Sequence, residues 1–153
     1  MWYRFLIAML ASAMVLASEQ PYDEQADARA DLKQALIRAR AQQKPVLIVF
    51  GANWCGDCRA LDRSLKTDKN ARLMAASFEI VKVDVARFNK NLDIDTVYGN
   101  PIKQGIPAVV VLAPDQRVLY ATRAGELANA RKMDDEGVYG FFSRIVEQAR
   151  QPG

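Results

Sequence analysis

The chain of 153 residues contains no histidine and only two cysteines, Cys55 and Cys58. A tetrahedral zinc site needs four ligands, so a site within this one chain would have to be completed by carboxylates. The net charge is +3, and it falls to +2 once Arg4, the single charge among residues 1–17, is left out. This bias is too weak to indicate a nucleic-acid partner. The sequence therefore predicts neither a bound metal nor binding to nucleic acid.

The first 17 residues have the pattern of a secretory signal. Arg4 precedes an uncharged, mostly apolar run from Phe5 to Ala17, and polar residues follow at once. This run is too short to span a bilayer as a helix, which needs about 20 residues. We predict a signal peptide over residues 1–17, export to the periplasm or another extracytoplasmic compartment, and a flexible leader over 18–26. An uncleaved N-terminal anchor and a buried helix are the alternatives.

The spacing of Cys55 and Cys58 indicates chemistry. A disulfide between them would close a very short loop, and loop closure stabilises a fold less when the loop is short. If a helix begins near Cys55, its free backbone N–H groups and its dipole favour the thiolate there, which makes Cys55 the expected nucleophile. A structural disulfide and half of a metal site are the alternatives. An exported protein with one CxxC pair belongs where disulfides are made, exchanged or repaired.

Hydrophobic patterns predict a single α/β domain over residues 27–153. In the helix after the two cysteines, Cys58 shares the core-facing side with Leu61 and Leu65, which predicts a shielded Cys58 and an exposed Cys55. The other expected elements are an amphipathic helix over Asp27 to Gln43, buried strands over Val46 to Phe50, Phe78 to Val85 and Ala108 to Leu112, a hairpin strand over Arg117 to Thr122, and a terminal amphipathic helix from Val138 to Ala149.

Three features, in order along the chain, resemble the thioredoxin superfamily and in particular its small exported members. An apolar strand leads into Trp54-Cys55-Gly56-Asp57-Cys58, the segment Gly105-Ile106-Pro107-Ala108 opens a later strand, and a hairpin and a terminal helix follow. The resemblance covers roughly residues 27 to 150. It implies a thioredoxin-like fold, with a central mixed sheet of about four strands flanked by helices.

The resemblance also implies roles for individual residues. Cys55 would attack a disulfide, Cys58 would resolve the mixed disulfide, and Pro107 would face both from a cis Ile106–Pro107 peptide bond. Ile106 would present its backbone to an extended substrate segment. Trp54 would shield the thiolate and contact substrate. The alternatives are ordinary packing for Trp54 and an ordinary strand-start proline for Pro107.

The chain departs from the thioredoxin pattern at positions that tune the cysteine pair. Val49 stands where the family often has a buried acid, six residues before the attacking cysteine, and Lys82 corresponds to the lysine near that acid. Gly56 and Asp57 replace the Gly-Pro of thioredoxin itself. A carboxylate at Asp57 opposes thiolate formation at the neighbouring sulfur, and we expect Arg59 to offset part of its charge.

These features together predict a thiol-disulfide oxidoreductase that exchanges disulfides with protein substrates and with an upstream redox partner. A reducing or isomerising role is favoured, because Asp57 weakens the preference for the thiolate, whereas a strong oxidant is one whose reduced form is stabilised. We expect no cofactor besides the Cys55–Cys58 disulfide, a monomer, and membrane contact only through a redox partner or an uncleaved signal. The alternative is a thioredoxin-like module that binds client proteins or assembly intermediates with little redox turnover.

Overall fold

The computed structural model describes residues 19–151, so the predicted signal peptide lies outside the described part of the chain. Among these residues, none of the helices is both long and apolar enough to cross a bilayer. The strands are β1 Val46–Gly51, β2 Glu79–Asp84, β3 Ala108–Leu112 and β4 Val118–Ala121. The α-helices are α1 Ala28–Gln42, α2 Gly56–Leu65, α3 Asp68–Ser77, α4 Leu92–Val97 and α5 Asp135–Arg150. Short 3-10 helices lie at Pro101–Gln104 and Ala130–Lys132.

The four strands form one mixed sheet in the order β2-β1-β3-β4. β1 runs parallel to β2 and antiparallel to β3, and β3 runs antiparallel to β4. Helices pack on both faces of this sheet, with α1 over one face and α2, α3 and α5 over the other. The predicted thioredoxin-like fold, a mixed four-stranded sheet flanked by helices, is confirmed.

β1 is the central strand of the molecule, and all six of its residues are buried. Successive side chains of a strand point to opposite faces of the sheet. Val46, Ile48 and Phe50 therefore join the apolar cluster beneath α1, whereas Leu47 and Val49 join the cluster beneath α2, α3 and α5. The continuous apolar run in the sequence is explained by this two-sided burial.

β2 differs from the buried strand predicted over Phe78 to Val85. It lies at an edge of the sheet, and β1 is the one strand among residues 19–151 that pairs with it. Val81 and Val83 are buried beneath α1, but Ile80 is 37% exposed and Lys82 reaches solvent in part. The prediction of full burial was wrong because the elements packed on the face of Ile80 and Lys82 cover the edge of the sheet only in part, and a short apolar run does not reveal which strand is at the edge.

The predicted flexible leader is also docked on the domain in part. Tyr22 is only 4% exposed and belongs to the apolar cluster beneath α1. Its backbone N–H donates to Oδ1 of Asn53 over 2.9 Å, and Nδ2 of Asn53 donates to the Tyr22 carbonyl over 2.8 Å. Burial of an aromatic ring stabilises such docking, which the polar residues around Tyr22 do not indicate. The leader is therefore held against the loop that carries Cys55.

Gly51, the last residue of β1, makes room for this docking. A Cβ at residue 51 would lie 2.5 Å from Cζ of Tyr22 and 2.9 Å from Sγ of Cys58. We expect Gly51→Ala to lower the free energy of unfolding by about 1–3 kcal/mol, because the ring or the disulfide must move. Chemical denaturation of the oxidised protein measures this change.

The matched control is Gly140→Ala in α5. There the nearest atom to an added Cβ is Nη1 of Arg144, at 3.4 Å, which is the end of a flexible side chain. This substitution should raise stability by up to about 1 kcal/mol, since alanine is the better helix former. Equal effects of the two substitutions would contradict the close approach at Gly51.

Candidate redox site

Cys55 and Cys58 form a disulfide at the N-terminus of α2, with their Cα atoms 5.2 Å apart. Cys55 is the N-cap residue, and its Sγ accepts a hydrogen bond of 3.1 Å from the backbone N–H of Cys58. The first sulfur therefore lies at the positive end of the helix, where a thiolate is favoured. The helix begins where the sequence predicts it.

Both cysteines are buried. Cys55 is 5% exposed and Cys58 is 1% exposed, so the predicted contrast between an exposed and a shielded residue is wrong for Cys55. The reason is the segment before β3, which covers the pair. Sγ of Cys55 lies 3.6 Å from the carbonyl oxygen of Ile106, and the Ile106–Pro107 peptide bond is cis. The structure thus brings Ile106 and Pro107 against the disulfide.

Trp54 forms an exposed rim beside the buried pair. Its ring is 45% exposed, and its Nε1 donates to the carbonyl oxygen of Ala86 over 2.8 Å. Phe88 packs edge-on with a centroid separation of 6.1 Å, and the guanidinium carbon of Arg87 lies 5.4 Å from the Trp54 ring centroid. The loop after β2 therefore completes an aromatic and cationic rim that the sequence patterns did not identify.

Asp57 pairs with Arg131. The sequence had instead indicated Arg59 as the residue that offsets its charge. Oδ1 of Asp57 accepts hydrogen bonds from the backbone N–H of Arg131 over 2.9 Å and from its Nε over 3.2 Å. Nη1 of Arg59 instead donates to the carbonyl of Asn53 over 2.6 Å. A Cβ at Gly56 would lie 3.2 Å from Nη1 of Arg131. The guanidinium of Arg131 therefore lies over the two residues between the sulfurs.

Lys82 stands opposite a valine where the thioredoxin family often has an acid, but it has an acidic partner on α2. Val49 packs in the apolar cluster beneath α2, and its register partner on β2 is Lys82. Nζ of Lys82 forms an ion pair with Asp62, which lies one helical turn after Cys58 and also binds Lys66 over 2.7 Å. Burial alone would raise the pKa of Asp62, but hydrogen bonds from the two lysines outweigh it and hold the pKa below its usual value.

Metal ligands are not clustered around this site. Across residues 19–151, no group of three or more histidine, cysteine, aspartate or glutamate residues has an arrangement that could hold a metal ion.

Comparison with known proteins gives the class to which this fold and this cysteine pair belong. The family model for thioredoxin-like proteins matches residues 27–114, more than half of the chain. The chain belongs to the thioredoxin-like family.

Individual relatives were found among both solved structures and sequences. A disulphide isomerase from Xylella fastidiosa Temecula1 is 56% identical, with a TM-score of 0.83, covering 84% of this chain and 98% of that one. Thiol:disulfide interchange protein DsbD 1 of Pseudomonas aeruginosa is 29% identical over 109 residues, which are 65% of this chain but only 17% of that protein. A thioredoxin from Thermus thermophilus shares the fold, with a TM-score of 0.57, at 18% identity, covering 79% of this chain and 85% of that one.

Arg131 offers a direct test of how the site is tuned. We expect Arg131→Ala to raise the pKa of the Cys55 thiol by less than one pH unit, because the Arg131 side chain is largely exposed and surface ion pairs contribute about 0.2–1 kcal/mol. Thiolate absorbance of the reduced protein against pH measures it. Arg131→Lys should restore part of the effect, and Lys132→Ala is the control at a neighbouring exposed cation. An equal shift in Lys132→Ala would contradict a specific role for Arg131.

Proposed function

We propose that this chain is a thiol-disulfide oxidoreductase that reduces or isomerises disulfides of exported proteins, with Cys55 as nucleophile and Cys58 as resolving residue. The observation that carries the proposal is the Cys55–Cys58 disulfide at the N-terminus of α2, held against Ile106 and Pro107. The 56% identity to a disulphide isomerase, over 98% of that chain, supports the same class of reaction.

The reaction needs only the two sulfurs. In the reduced protein, the Cys55 thiolate attacks a substrate disulfide, the substrate S–S bond breaks, and one substrate sulfur leaves as a thiolate. Cys58 then gives its proton to solvent water and attacks Sγ of Cys55 as a thiolate, which forms the Cys55–Cys58 disulfide and releases the second substrate sulfur as a thiolate. Two electrons pass from the pair to the substrate, so no cofactor is needed. An upstream dithiol must return the two electrons before the next turnover.

Substrate would approach across the exposed rim. Trp54, Phe88 and Arg87 offer aromatic and cationic surface to a protein segment, and the backbone at Ile106 would pair with it in extended conformation. Because Cys55 is buried, we propose that a flexible, extended segment reaches its sulfur more easily than a folded surface does. This favours unfolded or misoxidised proteins as substrates.

Asp57 supports the proposed direction of electron flow. A carboxylate between the sulfurs disfavours the thiolate, and a protein whose reduced form is not strongly stabilised is not a strong oxidant. The similarity to part of a thiol:disulfide interchange protein supports a redox partner that exchanges electrons with this chain. We propose that the protein acts as a monomer.

Turnover and trapping test the reaction itself. The wild-type protein should accelerate reduction of insulin by dithiothreitol, and Cys55→Ser should abolish the acceleration because the attacking sulfur is gone. Cys58→Ser should accumulate mixed disulfides with cellular proteins, visible as adducts that a reductant releases. Absence of both catalysis and adducts, with protein binding unchanged in Cys58→Ser, would favour the client-binding module instead. A strongly oxidising reduction potential would contradict the proposed direction.

Cell fractionation tests the proposed location. If residues 1–17 are a signal peptide, mature protein recovered from the cell envelope should begin at Ser18, as read by mass spectrometry of its N-terminal peptide. Replacing Leu6 and Leu10 by aspartate should leave the full-length chain in the cytoplasm, because the apolar run is interrupted. Replacing the exposed Asp31 and Glu136 of the domain by asparagine and glutamine is the control and should not change the location. Mature protein with Met1 still attached would contradict cleavage.

A further inference from the structure

Tyr22 and Cys58 meet at the end of β1, although they belong to different parts of the chain. Both side chains border the small space over Gly51, where a Cβ would lie 2.9 Å from Sγ of Cys58 and 2.5 Å from Cζ of Tyr22, and closer still to the tyrosine oxygen. Both residues are buried members of one apolar cluster. The phenol group is therefore a neighbour of the sulfur that resolves the mixed disulfide.

The position of Tyr22 is fixed from the site loop. Asn53 holds the backbone of Tyr22 through two hydrogen bonds of 2.9 and 2.8 Å, and it lies two residues before Cys55. Arg59, in the first turn after Cys58, in turn donates to the carbonyl of Asn53. Leader, site loop and α2 are thus joined by hydrogen bonds, which fix the backbone of Tyr22 beside the cysteine pair.

Charged groups from two elements face the phenol. Asp62 lies on α2, and Asp84 and Lys82 lie on β2, with Nζ of Lys82 6.0 Å from the Tyr22 ring centroid. Lys90, in the loop after β2, pairs with Asp84 over 3.2 Å. Burial first, and then the negative charges of Asp62 and Asp84, raise the pKa of Tyr22 far above its ordinary value. The hydroxyl therefore keeps its proton throughout the working pH range and is available as a donor.

We propose that Tyr22 is a further catalytic residue, whose hydroxyl donates a hydrogen bond to Sγ of Cys58 in the resolving step. The inference rests on the proposed function, because the step exists only if a mixed disulfide forms. A buried thiol is reluctant to ionise, and a hydrogen bond to the charged form favours ionisation. With that donor, Cys58 loses its proton to solvent water, and its thiolate sulfur bonds to Sγ of Cys55. The bond from Cys55 to the substrate sulfur breaks, and the departing sulfur takes up a proton from solvent.

Single-turnover kinetics with Tyr22→Phe test the inference, because the variant keeps the ring and removes only the hydroxyl. Reduced protein is mixed with oxidised glutathione, quenched with acid and analysed by mass spectrometry. Formation of the glutathione adduct on Cys55 should stay within twofold of wild type. Its release by Cys58 should be slowed about tenfold at pH 7, and the pH profile of release should move to higher pH. Tyr98→Phe, outside the site, is the matched control.

A second measurement isolates Cys58. In a Cys55→Ser background, where Cys58 is the single thiol, adding Tyr22→Phe should raise the pKa of Cys58 by about one pH unit. If Tyr22→Phe does not fold, 3,5-difluorotyrosine at residue 22 serves instead. It is a stronger donor of the same shape and should lower that pKa. A Cys58 pKa and a release rate that do not respond to either change would overturn the inference. Absence of any glutathione adduct in Cys58→Ser, where no resolving thiol removes it, would instead refute the proposed function.

Discussion

The burial of β1 on both faces and on both edges is the constraint on which the site depends. β1 has one register with each neighbour, and those registers place the surroundings of the cysteines. Phe50 lies opposite Ala108 on β3, which brings Ile106 and Pro107 beside the end of β1. Gly51 lies opposite Asp84 on β2, so the loop after β2 places Phe88 against the Trp54 ring. A one-residue slip would turn the apolar side chains of β1 to the wrong faces and separate these groups.

Local patterns were sufficient for the elements and for the core of the site. α1 and α5 have apolar residues at the helical period that burial of one face requires, and β1 is a continuous apolar run, as burial on both faces requires. The CxxC pair marks the junction between strand and helix. Exposure was less predictable. Cys55 is covered by a segment about fifty residues further along the chain, and Ile80 is exposed because β2 lies at an edge. Neither fact leaves a trace in the local sequence.

The residues that the sequence did not identify share one property. Tyr22, Arg131 and Phe88 each reach the site from the leader, a short 3-10 helix or a loop, and each contact joins positions more than thirty residues apart. No spacing rule connects such pairs. The Asp62–Lys82 ion pair is similar, since an acid on the strand was the expected partner and an acid on α2 is the observed one. Long-range charge placement therefore required the structure, whereas the position of the cysteine pair at the start of α2 did not.

The balance between thiol and thiolate in the reduced protein is set mainly by buried groups. The pair between Arg131 and Asp57 is partly exposed, and exposed pairs contribute little and are screened by salt. The N-terminus of α2 at Cys55 and the phenol beside Cys58 act where water is excluded, so their effects are larger. Burial itself opposes both thiolates. Both sulfurs are buried, but their surroundings differ, with a helix N-terminus at Cys55 and a single phenol hydroxyl beside Cys58. That difference is what the proposed division into an attacking and a resolving thiol requires.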